Sequence, residues 1–182
     1  MIGAVIMTHG DDQGLVMPPK IAPIQAVIVP IYKSDDERSK VMEVANRVFA
    51  ELKAAGIRIK MDDRTEVTPG FKYNDWEMRG VPVRVEIGPK DVEKGSVALA
   101  RRDVAGRAGK SFVPQAGLAA TVSGLLSDIQ ASMLQHAIEY RDANIHEPKT
   151  YDELTEVVAN GWAFSWWCGD NACEAKIKED TK

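Results

Sequence analysis

The densest grouping of side chains able to stack, pair and carry charge lies between residues 70 and 95, in GFKYNDWEMRGVPVRVEIGPKDVEKG. Gly80 divides the stretch into a short helix and a strand. Thr68 is placed to cap the helix, and Pro69 suits its first position. Beyond Gly80, Val81, Val83, Val85 and Ile87 alternate with Pro82, Arg84 and Glu86, which is the period of a strand. Tyr73 and Glu77 are four apart and share one helix face. Arg84 points away from the valine face, and Lys90 lies in the turn just beyond. An aromatic ring, a carboxylate and two cations on neighbouring elements could together stack on and hydrogen-bond exposed bases. The pattern also suits an ordinary half-buried helix–strand unit with a solvated face.

Two other groupings carry weaker signals. His9, Asp11 and Asp12 sit in the loop THGDDQGLVMPPKIAP, where they could ligate a metal or handle a proton, or simply shape a turn. A small α/β enzyme built on them lacks a nucleophile–base pair and a complete metal set. Near the other end, Cys168 and Cys173 are flanked by Trp162, Trp166 and Trp167. Structural zinc wants four ligands, so two cysteines are half a site, and their spacing is not the two-residue spacing of a redox motif. Two unremarkable thiols fit the pattern as well as a metal half-site does.

The remaining elements supply the frame. MIGAVIM reads as a buried strand that begins abruptly, as if its chain had been cut. Gln25 to Tyr32 is a continuous apolar run, suited to a strand covered on both faces. Ser34 with Glu37 makes a capping box, and Val41, Val44, Val48, Leu52 and Ala55 recur at helical spacing until Gly56. Ile57 to Met61 forms the next strand, and Ser96 to Arg102 a further β segment beyond the turn at Gly88–Pro89 and Gly95. A long helix from about Gln115 to Arg141 carries Leu118, Val122, Leu125, Ile129, Met133 and His136 inward, which makes His136 a core histidine. Asn144 to Thr150 reads as a linker. Past Tyr151 one more helix precedes the tryptophan- and cysteine-bearing tail. Alternating strands and helices predict an α/β fold over residues 25 to 143: a mixed central sheet of about five strands with three flanking helices.

Composition narrows the function classes. The chain has 182 residues, 45% hydrophobic and 27% charged, which is enough for a real core. A net charge of −4 argues against bulk coating of nucleic acid, so any such contact must be local. Basic residues do outnumber acidic ones from Arg79 to Lys110. Two cysteines make no disulfide framework and imply a reducing, cytoplasmic setting. MIGAVIM is too short to span a bilayer and has no signal-peptide features, so no membrane partner is expected.

Taken together, three long signatures resemble the prolyl-tRNA synthetase family, a class II group, in its archaeal and eukaryotic-like type. IGAVIMTHGDDQGLVMPPKIAPIQAVIVPI is similar to the end of the catalytic domain running into the anticodon-binding domain. TPGFKYNDWEMRGVPVRVEIGPKD is similar to the centre of the anticodon-binding domain, and WAFSWWCGDNACEAKIKEDT to the first half of the zinc-binding domain. The resemblance implies three segments: 1–24 from the catalytic domain, 25–143 the anticodon-binding domain, and 144–182 an incomplete α+β zinc-binding-like domain. It implies that Tyr73, Glu77, Arg84 and Lys90 contact the anticodon of tRNA-Pro. A backbone contact is expected from Arg102, with Arg101 and Arg107 as alternatives, and Cys168 and Cys173 match two of four zinc cysteines.

The resemblance also implies a proline–tRNA ligase using ATP and Mg2+, homodimeric as a whole enzyme. Departures limit what this stretch does alone. Motif 1 and the motif 2 arginine that holds ATP are not found, and the motif 3 arginine is expected just before Met1. The stretch is therefore expected to hold tRNA without catalysing the reaction. A stand-alone module of the same fold with a protein partner is the competing reading.

Overall fold

The chain opens on a helix where the sequence suggests a strand. In this computed structural model, which describes residues 2–181, Ile2–His9 forms helix α1 with no buried residue. A short apolar run satisfies either period, and no neighbouring strand pairs with this one among the described residues; Met1 lies outside them. A small hairpin follows, β1 (Gly10–Asp11) with β2 (Gly14–Leu15), paired antiparallel.

The frame expected from the alternation is present, and two unexpected elements join it: a short helix in place of the turn at Gly88–Pro89, and a strand beyond Arg102. It comprises β3 (Ala26–Pro30), α2 (Asp35–Ala54), β4 (Ile59–Met61), α3 (Pro69–Met78), β5 (Val83–Ile87), a short α4 (Pro89–Lys94) and β6 (Ser96–Arg101). A 3-10 turn (Gly106–Gly109), β7 (Lys110–Pro114) and α5 (Leu118–Asn144) complete it. Thr68 caps α3 by accepting the Phe71 N–H at 3.3 Å, and Ser34 caps α2. Glu37 reaches back to the Lys33 N–H at 2.8 Å, one residue beyond the partner of a strict capping box. Gly80 ends α3 at φ +71°, with Leu15 so close that a β-carbon would meet it at 2.6 Å, so only glycine suits.

The five-stranded sheet runs β4-β3-β5-β6-β7. β3 pairs parallel with both β4 and β5, whereas β5–β6 and β6–β7 are antiparallel. Helix α2 packs on one face and α3 on the other. The crossovers β3–α2–β4 and β4–α3–β5 thus run in opposite directions over opposite faces, and so share one hand. Over the first face Ile28, Val83, Val85, Ile87, Val97 and Leu99 meet the apolar stripes of α2 and α5. The second face has a smaller cluster of Val27, Val29, Trp76 and Val81. Leu118, Val122 and Ile129 of α5 are buried as their spacing predicts, but His136 is exposed, because burial along this helix ends at Ile129.

The chain divides within α5 into two compact units, Met1–Met133 and Leu134–Lys182. The second holds β8 (Ile145–His146) parallel to β9 (Trp162–Ala163), α6 (Tyr151–Val158) and α7 (Asn171–Asp180). Helix α7, capped by Asp170 through the Ala172 N–H at 2.8 Å, was not evident in the sequence. No described residue of this unit is buried, and Trp166 and Trp167 are exposed.

Candidate nucleic-acid interface

Strand alternation places two rows of side chains on the second face of the sheet. Register aligns Val27, Arg84, Ala100 and Lys110 in one row and Val29, Glu86, Ala98 and Phe112 in the next. Helix α3 covers the valine end. The two alanines leave β6 without bulk, so Arg84 and Lys110 stand either side of Ala100, two strand spacings or roughly 10 Å apart. A cleft of about 360 Å³ opens there, lined by Glu77, Arg84, Ala100, Arg107 and Lys110, with Gln13 reaching in from the β1–β2 hairpin.

Arg84 is the pivot of this cleft. Its Nε donates to Glu86 at 3.0 Å and its Nη1 to Glu77 at 2.6 Å. Its guanidinium carbon lies 4.0 Å from the centroid of the Tyr73 ring, within cation–π range. Glu86, 4% exposed, also accepts from Lys110 Nζ at 2.5 Å. Burial and the neighbouring Glu86 carboxylate push the Tyr73 phenol up, against the opposing pull of Arg84, so the ring stays neutral. A guanidinium has five N–H donors; the two bonds above leave three for a ligand. Tyr73, Glu77 and Arg84 thus come together as the sequence suggests.

Behind α3 a second network fixes the helix that carries Tyr73 and Glu77. Asp62, 3% exposed, accepts from Arg64 at 2.6 and 2.8 Å and from the Trp76 indole N–H at 2.7 Å. Lys72, equally buried, donates to the Asp62 carbonyl at 3.1 Å. Burial alone would raise the Asp62 pKa, but Arg64, Trp76 and Lys72 outweigh it and hold the carboxyl at about 2. Sequence gave no signal for this group, since an aspartate in a polar loop normally faces water.

The arginines at and just past the end of β6 separate into different environments. Arg102 is 8% exposed; it donates to Asp11 at 2.5 and 2.8 Å and to the Glu77 carbonyl at 3.1 Å. That pair ties the hairpin to the back of the cleft, and the Arg102 hydrogen bonds hold the Asp11 carboxyl below its ordinary range. Asp11 also accepts the Gln13 N–H at 2.8 Å, so the His–Gly–Asp–Asp loop is turn and clasp. Arg101 chelates Asp103 at 2.6 and 2.9 Å. Arg107 is exposed and has no ion pair among the described residues.

Lys90 lies apart from this cluster. It is exposed on α4 and lines a second cleft of about 480 Å³ with Tyr32, Lys33, Glu37 and Pro89. That cleft sits at the carboxyl ends of β3 and β5, on either side of which the chain crosses by opposite faces, the usual ligand position in such sheets.

In the second unit, the exposed thiols of Cys168 and Cys173 interact with each other. The Asp170 backbone N–H and the Cys173 thiol lower the Cys168 pKa, while Cys168 pushes Cys173 up. Among the described residues no group of three or more His, Cys, Asp or Glu side chains could hold an ion. The two thiols therefore do not make a closed tetrahedral zinc site within these residues.

Comparison with known proteins fits this geometry. The family model described as "Anticodon binding domain" matches residues 25–111. A proline–tRNA ligase from Chloroflexus aggregans is 55% identical over all 182 residues, and one from Cenarchaeum symbiosum is 49% identical; the chain covers 38% of each. The crystal structure of prolyl-tRNA synthetase from Cryptosporidium parvum, complexed with L-proline and AMP, superposes with a TM-score of 0.91 at 39% identity. The match covers 99% of this chain and 38% of that one. The chain thus spans little more than a third of the length of the relatives it matches. A stand-alone module with a protein partner is not favoured by these matches. By sequence and fold together, the chain belongs to the prolyl-tRNA synthetase family and contains its anticodon-binding domain.

Proposed function

We propose that the cleft beside Arg84 holds the anticodon of tRNA-Pro, and that the whole protein joins proline to that tRNA using ATP and Mg2+. The observation that supports this best is the fixing of Arg84 by Glu77, Glu86 and Tyr73 at the cleft wall. A planar donor held rigid before its ligand arrives reads a base edge with little ordering cost. Its three remaining N–H groups suit the O6 and N7 acceptors of guanine. Tyr73 supplies a stacking surface, and Glu77 accepts from a base amino group through its second oxygen. Lys90 contacts the loop from the neighbouring cleft. Arg107, exposed at the rim, holds phosphate, while Arg102 shapes the wall from behind through Asp11.

On this reading residues 25–143 are the anticodon-binding domain, 1–24 belong with the catalytic domain, and 144–182 form a zinc-binding-like domain. The whole protein is a cytoplasmic homodimer. No helix among the described residues is long and apolar enough to cross a membrane. These 182 residues hold tRNA, and the arginines that class II enzymes place around ATP lie elsewhere.

The direct test is binding of the tRNA-Pro anticodon stem-loop against stem-loops with altered anticodon bases, at two salt concentrations. Preference for the proline anticodon at both concentrations is expected, since base contacts rather than phosphates carry discrimination. Equal affinity for all loops would overturn the reading. Proline-dependent ATP–pyrophosphate exchange by this chain would overturn the division of labour.

A further inference from the structure

The reading surface does not end at Arg84. Phe112 on β7 is 70% exposed and shares its sheet face with Glu86 and Ala98, its register neighbours across β6. A single exposed phenylalanine would be unremarkable. This one stands two residues from Lys110 on the same strand, with the Lys110 ammonium 5.7 Å from its ring centroid. Lys110 lines the Arg84 cleft and bonds Glu86, which in turn holds Arg84. The ring therefore continues the proposed base-reading surface toward the open edge of the sheet. Two strands across and two residues along, it lies roughly 12 Å from Arg84. That separation suits neighbouring nucleotides of a splayed loop rather than one base.

We propose that Phe112 is a second stacking platform, taking the face of a base next to the one read by Arg84. The inference rests on the anticodon reading above. Single-stranded nucleic acid fits better than a protein partner, because the ring is flanked by cations. Lys110 touches it, Arg107 stands at the same cleft, and one aromatic face beside a backbone-tracking cation is the usual arrangement for sequence-tolerant base stacking. Phe112 adds affinity and order to the loop, while discrimination stays with Arg84.

The experiment places 2-aminopurine at each loop position of the tRNA-Pro anticodon stem-loop in turn and follows its fluorescence on binding to the full chain. One position, different from the one governed by Arg84, should be quenched by the native protein and not by Phe112→Ala. Affinity should fall about tenfold, the size of one base–aromatic stack. Phe112→Trp should keep both quenching and affinity, whereas Phe112→Leu should lose both, although it stays apolar. Thermal melts of all three variants should match the native chain, since the ring is exposed. Unchanged affinity and unchanged quenching at every position in Phe112→Ala would overturn this inference and leave the anticodon reading standing. If Phe112→Ala alters self-association in sedimentation but not stem-loop binding, the ring belongs to a protein interface and the inference fails. No binding of the stem-loop by the native chain overturns both.

Discussion

The two faces of the same sheet are built to different rules. On the first, strand residues 83, 85, 87, 97 and 99 are aliphatic and fully covered by α2 and α5. On the second, the residues between them are an arginine, a glutamate and two alanines, and cover stops at α3. The first face gains its stability from area removed from water. The second buries charge, which is tolerable only because each charge has partners. Arg84, Glu86, Glu77 and Lys110 satisfy one another, and no buried side-chain polar atom of the described residues lacks a hydrogen bond. One set of strands can thus carry a core on one side and the proposed recognition surface on the other, provided the polar side is fully paired.

Substitutions can separate the two faces. The largest effect should come from Ile28→Ala on the first face. It removes a fully buried side chain and should cost about 4 kcal/mol of stability in denaturant melts. Stem-loop affinity measured well below the midpoint should hardly change; loss of anticodon preference in this variant would show that the faces are not independent.

Asp62 comes next, on the charged side. Its folded pKa of about 2 lies below its ordinary 3.8, so it stabilises the fold above about pH 4. That contribution, about 2 kcal/mol, should be lost as pH falls from about 4 to 2. Asp62→Asn should abolish that part of the acid slope and lower stability at neutral pH, because Lys72 and Arg64 lose their counter-charge. An unchanged acid profile in the variant would assign the slope to other carboxylates.

Arg84→Ala should weaken the proline stem-loop by about tenfold or somewhat more, and flatten the preference between anticodons. A guanidinium on a base edge contributes about 1 to 3 kcal/mol of discrimination. The smallest effect is expected of Arg107→Ala, which should weaken all stem-loops alike and reduce the salt slope by about one unit. Uniform loss in both variants, with anticodon preference intact, would erase the distinction between base reader and phosphate holder.

How much of this was legible in the sequence varies by element. Strands β3 and β5 were legible because a continuous apolar run and a strict alternation have no competing period. The pairing of Tyr73 and Glu77 on one face followed from helix spacing, and Arg84 from strand parity. Strand β7 was missed because KSFVP is short, mostly exposed and lacks alternation. Helix α1 was misread because seven apolar residues fit both periods. Arg102 looked like a surface cation because its partner, Asp11, is 91 residues away in sequence, and no local pattern records such a distance. His136 continued a stripe whose burial had already ended at Ile129. The local rules see periodicity; they do not see at which turn of a helix burial stops.

The interleaving of core and site along β5 and β6 also sets which inherited changes this domain can absorb. Within β5 and β6, positions 83, 85, 87, 97 and 99 face the core, while 84, 86, 98 and 100 share the opposite face, which carries the cleft. On the proposed reading, a point substitution at 84, 98 or 100 would alter what is read while leaving the packed side intact, so specificity would be open to gradual drift. A single-residue insertion or deletion within either strand inverts the parity of everything beyond it. It would turn valines and leucine to the cleft and arginine to the core in one event. Lineages of such a domain should therefore diverge by substitution in these strands and carry their length changes in the connections, such as the stretch from Asp103 to Gly109.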